Sequence, residues 1–264
     1  MKKTMIFLAV TLLCASMIFA QGNKVAKNKE KQELVVFAAA SLTETLNQIK
    51  KMYEKENPNV IISYNFDSSG TLKTQIEQGA DADLFISAAT KQMNALKALY
   101  LVDVDSEIDL LENKTTLAVP NGNPKKVKNF NDLSERLKKG ELFIAIGNSD
   151  VPVGQYTQKI FGYYNINEND IKNSLSYASN VKEVTTQVKK ASVDCGIIYQ
   201  TDAFSAGLEV VDKATAEMTG GRVVYPAAVL AKAKNKAEAQ KFLNYLKGNK
   251  AKDVFISVGF SPLV

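Results

Sequence analysis

The chain has 264 residues, 45% of them hydrophobic and 23% charged, enough for one large domain or two lobes with ordinary cores. Its net charge of +5 comes from lysines spread along the chain, not from a basic cluster interleaved with aromatics, which argues against a nucleic-acid partner. It contains no His, which removes most general-base, triad and zinc-site chemistry, and its two cysteines, Cys14 and Cys195, make no disulfide framework.

Taken in order, the chain opens on Lys2 and Lys3, an apolar run from Met5 to Ala20 and the polar Gln21. This pattern predicts a signal peptide over 1–20, too short for a comfortable membrane span, and work outside the cytoplasm, periplasmic or otherwise extracytoplasmic. Leu13, just before Cys14, is larger than the residue usual before a lipidated cysteine, so a lipid anchor is not favoured. Residues 21–32, rich in Lys and Asn, read as a disordered spacer.

Leu34 to Phe37 is a short strand-forming run. The small residues Ala38 to Ala40 follow, then Ser41 at an expected helix start, with Leu42, Leu46 and Ile49 at helical spacing. Such a junction leaves free N–H groups and a positive dipole end at one point, a place to hold an anion. Val60 to Phe66 is a second strand, ending in Asp67-Ser68-Ser69-Gly70-Thr71 before another helix, so the same chemistry recurs. Asp83 to Ser87 is a third strand, and Met93, Leu96 and Leu99 mark a helix. Thr115 to Val119 is a strand ending at Pro120-Asn121-Gly122-Asn123-Pro124, a dense turn signal and a candidate crossover between lobes.

The second half restarts the rhythm. A helix is expected over Phe130 to Leu137 and a strand over Leu142 to Ile146, leading through Gly147 to Gly154 into a helix near Gln155. A strand over Ser174 to Ala178 precedes a helix carrying Val184 and Val188. Cys195 to Asp202 reads as a buried strand that ends polar, with Cys195 a buried free thiol. Gly207 to Val211 and Val223 to Leu230 are further strands, the second crossing back, and two helices close the chain. The rhythm predicts an α/β fold. In open α/β sheets ligands sit beyond the carboxyl ends of the strands.

Several of these stretches closely resemble the molybdate-binding proteins of ABC transporters: Phe-Ala-Ala-Ala-Ser-Leu (37–42), Ser-Ser-Gly-Thr-Leu (68–72) with Gln75-Ile76-Glu77, and Ala82 to Ala88. Pro152 to Tyr156, Gly196 to Tyr199 and Gly259-Phe260 fit the same family. The resemblance implies a two-lobed periplasmic binding protein type II fold, a mixed, mainly parallel sheet in each lobe and the ligand cleft between them. The expected lobes are 33–116 plus 226–264, and 117–225. It implies a tetrahedral oxyanion, molybdate or tungstate, as ligand and no cofactor. Ser41 and Ser69 would each give a hydroxyl and a backbone N–H, Val153 and Val181 a backbone N–H, and Tyr199 its phenol. Molybdenum is thus held as its oxyanion by these five residues, with no catalytic residue. The implied partner is the membrane permease of an ABC transporter, served by a monomer.

Asp67 and Asp81 depart from the family's usual residues. Asp67 is expected to point to solvent and cap its own helix; facing the cleft, it would repel a dianion and accept a phosphate proton. Competing readings are a sulfate- or phosphate-binding protein of the same fold, a ferric-binding protein using Tyr163-Tyr164, and a serine hydrolase, for which neither His nor a Gly-x-Ser-x-Gly elbow is present.

Overall fold

The computed structural model describes residues 31–264; the expected signal peptide and Cys14 lie outside them. The chain enters with β1 (Gln32–Ala39), α1 (Thr43–Glu56), β2 (Val60–Asp67), α2 (Ser69–Glu77), β3 (Leu84–Ile86), α3 (Thr90–Ala98) and β4 (Ile108–Asn113). It continues through β5 (Thr115–Val119), α4 (Phe130–Lys138), β6 (Ile144–Gly147), α5 (Pro152–Tyr163), β7 (Leu175–Ala178), α6 (Val181–Lys189), β8 (Cys195–Tyr199), α7 (Gln200–Ala206), β9 (Glu209–Lys213) and α8 (Ala216–Thr219). It returns by β10 (Val223–Val229), α9 (Lys236–Leu246), α10 (Asn249–Ser257) and β11 (Ser261–Pro262).

Two sheets result, one ordered β11-β4-β10-β3-β1-β2 and the other β7-β6-β8-β5-β9. In the first, β1 lies between parallel partners β2 and β3; in the second, β6 lies between parallel partners β7 and β8. The antiparallel pairs involve β10, β4 and β11 in one sheet and β5 in the other, near the crossings between halves. Because β1, β2 and β3 run the same way, their carboxyl ends share one edge, and β6, β7 and β8 do likewise.

The crossings correct the expected lobe borders. β4 joins the first sheet and β5 the second, so the chain passes over at Lys114, not at Pro120–Pro124, which is a turn within the second half. The return lies between β9 and β10, so the border expected at 225/226 falls inside β10. The strand β4 was not expected, and α5 starts at Pro152, three residues before the expected Gln155. Pro is well suited to that first position, where an N–H has no intrahelical partner anyway.

Burial follows the sequence patterns. Leu34, Val36, Leu46, Ile49 and Ile62 are fully buried between β1, β2 and α1, and each such side chain contributes about 1.5–3 kcal/mol relative to exposure. Phe130, Leu133, Leu137, Ile144 and Ile197 form the corresponding core of the second half. Cys195 is buried and free there, and burial pushes its thiol up, so it is inert packing.

Helix α6 lies so close to β8 that a Cβ on Gly196 would come 2.5 Å from Val188 Cγ2 and 3.3 Å from Val184 Cγ1. Both neighbours are β-branched and stiff. Gly196→Ala is therefore expected to destabilise the protein by about 1–3 kcal/mol, an overpacking penalty, read as a lower urea midpoint at unchanged m-value.

Candidate functional site

One cavity collects the carboxyl ends of the parallel strands. It is lined by Ala39, Ala40 and Ser41 after β1, by Asp67, Ser68 and Ser69 after β2, and by Ala88 after β3. From the second half come Val151, Pro152 and Val153 after β6, Val181 after β7, and Tyr199 at the end of β8. All five sequence-predicted site residues, Ser41, Ser69, Val153, Val181 and Tyr199, are thus brought around one space. The space open to a water-sized sphere is ≈ 10 Å³, far below the ~300–1,000 Å³ usual for organic ligands, so it suits nothing larger than a small ion.

Three helices begin at this cavity: α2 with Ser69, α5 with Pro152 and Val153, and α6 with Val181. Their first N–H groups have no intrahelical acceptor. In α2 the cap is Ser68, whose Oγ takes the Thr71 N–H (3.0 Å); in α6 Asn180 Oδ1 takes the Glu183 N–H (3.1 Å). Each cap thus satisfies the third helical N–H and leaves the first ones for a guest. The three dipole ends add positive potential, about 0.3–1 kcal/mol each toward an anion and up to ~2 when partly buried.

The hydroxyls are oriented by their other contacts. Ser69 Oγ accepts the Ala88 N–H (2.9 Å), so its proton remains to be donated. Tyr199 Oη is buried without a hydrogen-bond partner, and burial, then the neighbouring Tyr225 and Tyr156, push its phenol well up. It stays an O–H donor at neutral pH. Ser41 is not the N-cap of α1 as expected. It sits in a single 3-10 turn, Ala40–Leu42, and its Oγ bonds Tyr225 Oη (3.0 Å). The turn tightens the exit from β1 and turns the hydroxyl inward, away from the helix start.

Among the described residues no Lys or Arg lines the cavity. Its one charged lining residue is Asp67, half-buried, which corrects the expectation that Asp67 faces solvent and caps α2. Asp67 Oδ1 accepts the adjacent Ser68 N–H (2.6 Å), and Ser68 caps the helix because it stands immediately before the first helical residue. Tyr163 and Tyr164 pack edge-to-face at the end of α5, outside the cavity lining, and no cluster of metal-ligating side chains occurs among the described residues.

The halves meet closely over the site. A Cβ on Gly70 would lie 2.2 Å from the Asp150 carbonyl oxygen of the other half. On the opposite flank Lys182 Nζ joins Glu44 (2.7 Å) of the first half to Asp202 (3.0 Å) of the second. Lys182 follows Val181 at the positive end of α6, so both carboxylates offset an unfavourable placement. The Glu44 arm is half-exposed and contributes little by itself. Asp202 is fully buried, and burial outweighs Lys182, raising its carboxyl to about 6. Burial works against the Lys182 charge, but Asp202 and Glu44 prevail and hold its amine above the ordinary range. Sequence reasoning missed Tyr225, Asn113 and the Glu44–Lys182–Asp202 chain. Tyr225 lies inside an apolar strand and reads as core, and the ionic residues lie far apart in sequence.

Residues 34–261 match the family model described as bacterial extracellular solute-binding protein. The chain belongs to that family. This solute-binding protein is 33% identical over 263 residues to the Bacillus subtilis protein named "Putative ABC transporter substrate-binding lipoprotein YvgL", covering 98% of each chain. It is 34% identical over 238 residues to the molybdate-binding protein ModA of Haemophilus influenzae, covering 87% of this chain and 90% of that one. The solved periplasmic molybdate-binding protein of Azotobacter vinelandii shares its fold, with a TM-score of 0.74 at 22% identity, covering 86% of this chain and 98% of that one. Among the described residues of the solute-binding protein no helix is long and apolar enough to cross a membrane.

Two outcomes are expected. Gly70→Ala pushes against a backbone carbonyl and should hold the halves apart, seen as a larger radius of gyration in small-angle scattering; an unchanged radius would show that the contact yields. The raised carboxyl of Asp202 means the folded state binds more protons than the unfolded chain between about pH 4 and about pH 6, so its share of stability falls as pH rises through that window. Asp202→Asn should flatten that slope in urea unfolding measured across the window.

Proposed function

We propose that this protein captures molybdate, and with it tungstate, outside the cytoplasm and delivers it to the permease of an ABC importer. It acts as a monomer and a carrier, with no catalytic step and no cofactor. The observation that carries this reading is the convergence on one cavity of uncharged N–H and O–H donors from both halves, with Asp67 the one charged residue among the lining and no lysine or arginine there. The molybdate-binding relatives support it. The guest would be held by the hydroxyls and N–H groups of Ser41 and Ser69, the N–H groups of Val153 and Val181, and the Tyr199 phenol.

A dianion leaving water loses a very large solvation energy, tens of kcal/mol by a Born estimate. Hydrogen bonds to a charged group return roughly 1.5–3 kcal/mol each, so several convergent donors plus helix ends are of the required order. A fully deprotonated ion needs only donors. Hydrogen phosphate also needs an acceptor for its proton, and a donor-only lining leaves that proton unpaired. Asp67 favours a second reading, a phosphate carrier, because its carboxylate is the one charged acceptor in the lining. Sulfate matches molybdate in charge and shape and differs in size. Both halves donate to one guest, so closure through Lys114 and residues 214–222 is coupled to affinity.

Calorimetric titration of the mature protein with molybdate, tungstate, sulfate and phosphate tests the reading. Tightest binding of molybdate or tungstate is expected; tightest binding of phosphate would favour the second reading. Ser41→Ala should weaken molybdate binding by at least about 1.5 kcal/mol. An unchanged dissociation constant would remove Ser41 from the site.

A further inference from the structure

A buried polar chain runs from the crossing at Lys114 to the cavity. The Lys114 N–H donates to Asn113 Oδ1 (2.8 Å), which fixes the orientation of the amide: with its oxygen there, Nδ2 faces the other way. Asn113 Nδ2 donates to Thr201 Oγ1 (2.9 Å) and to Tyr225 Oη (3.2 Å). Ser41 Oγ lies 3.0 Å from the same Tyr225 Oη. Asn113, Thr201, Tyr225 and Ser41 are all at least nineteen-twentieths buried, so water cannot reshuffle these protons.

Counting donors then gives the chain a direction. An amide nitrogen has no acceptor capacity, so the Tyr225 proton cannot go to Asn113. Among the partners that Tyr225 Oη bonds, the acceptor left to its proton is Ser41 Oγ; the Tyr199 phenol packs beside Tyr225 but makes no hydrogen bond. With that bond made, one of the two lone pairs of Ser41 Oγ is taken and the Ser41 proton is left for the cavity. We propose that Asn113 and Tyr225 are positioning residues that set the proton polarity of Ser41, making it an obligatory donor and thereby selecting fully deprotonated oxyanions over protonated ones. The chain starts at the crossing itself, so the residues that carry the bend between halves also set the chemistry of the site. This inference rests on the oxyanion reading above.

Asn113→Asp tests it because the shape is kept and the polarity reversed. The introduced carboxylate accepts the Tyr225 proton, Tyr225 Oη then accepts from Ser41, and Ser41 presents a lone pair to the cavity. Binding of molybdate, which carries no proton at mildly alkaline pH, and of inorganic phosphate, which carries one, is compared with wild type by calorimetry. Asn113→Asp should weaken molybdate about tenfold or more and strengthen phosphate, a change of opposite sign that simple structural damage does not produce. Tyr225→Phe, which frees Ser41 to rotate, should lower the molybdate-to-phosphate ratio by a smaller factor. Thermal melts identify any variant that fails to fold, and the other then decides. If wild type binds molybdate and the folded variants keep its ratio, or lose both anions equally, the polarity relay is overturned and the oxyanion reading stands. If wild type binds none of the oxyanions, that reading falls and the relay with it.

Discussion

A buried N–H or O–H without an acceptor is expensive, and this protein points several of them at one space. The first N–H groups of three helices and the phenol of Tyr199 have the cavity as their outlet. Much of the local structure serves that arrangement. The caps Ser68 and Asn180 engage the third helical N–H and spare the first. Small residues at Ala39, Ala40 and Ala88 let backbone come close. Ser69 Oγ accepts the Ala88 N–H, which leaves its own proton to be donated. A cavity so built offers positive potential without any cation, and at low local dielectric its dipoles act more strongly than in water.

The same space is divided between two halves, and the contacts that close it differ on the two flanks. On one, glycine at position 70 lets a backbone carbonyl approach. On the other, Lys182 spans from Glu44 to the buried Asp202. Neither contact is strong alone. In the proposed reading ligand and closure are coupled, since a guest that uses donors from both halves would add to these contacts. The crossing at Lys114 is tied to Ser41 through Asn113 and Tyr225, so bend and site share atoms.

The local chemistry of the site was legible in the sequence because each junction is a short, contiguous signal. A strand, then small residues, then a hydroxyl at a helix start can be read at 34–42 and again at 60–72. The β4 stretch Ile-Asp-Leu-Leu-Glu-Asn was not legible, since two of its six residues are acidic and its burial comes from neighbours on both sides. The Pro120–Pro124 turn gave a stronger local signal than Lys114 but marks only a bend. Which sheet a strand joins depends on partners far along the chain.

The sequence by itself determined the α/β rhythm and the hydroxyl-bearing junctions after the strands, which depend on residues within a few positions of each other, and its composition excluded histidine and disulfide-framework chemistry. Only the tertiary structure decided where the chain crosses, that Ser68 and not Asp67 caps α2, and that Ser41 faces Tyr225, a partner 184 residues away. Proton direction and burial are properties of neighbours in space, and a linear pattern carries no record of them until the two halves are packed.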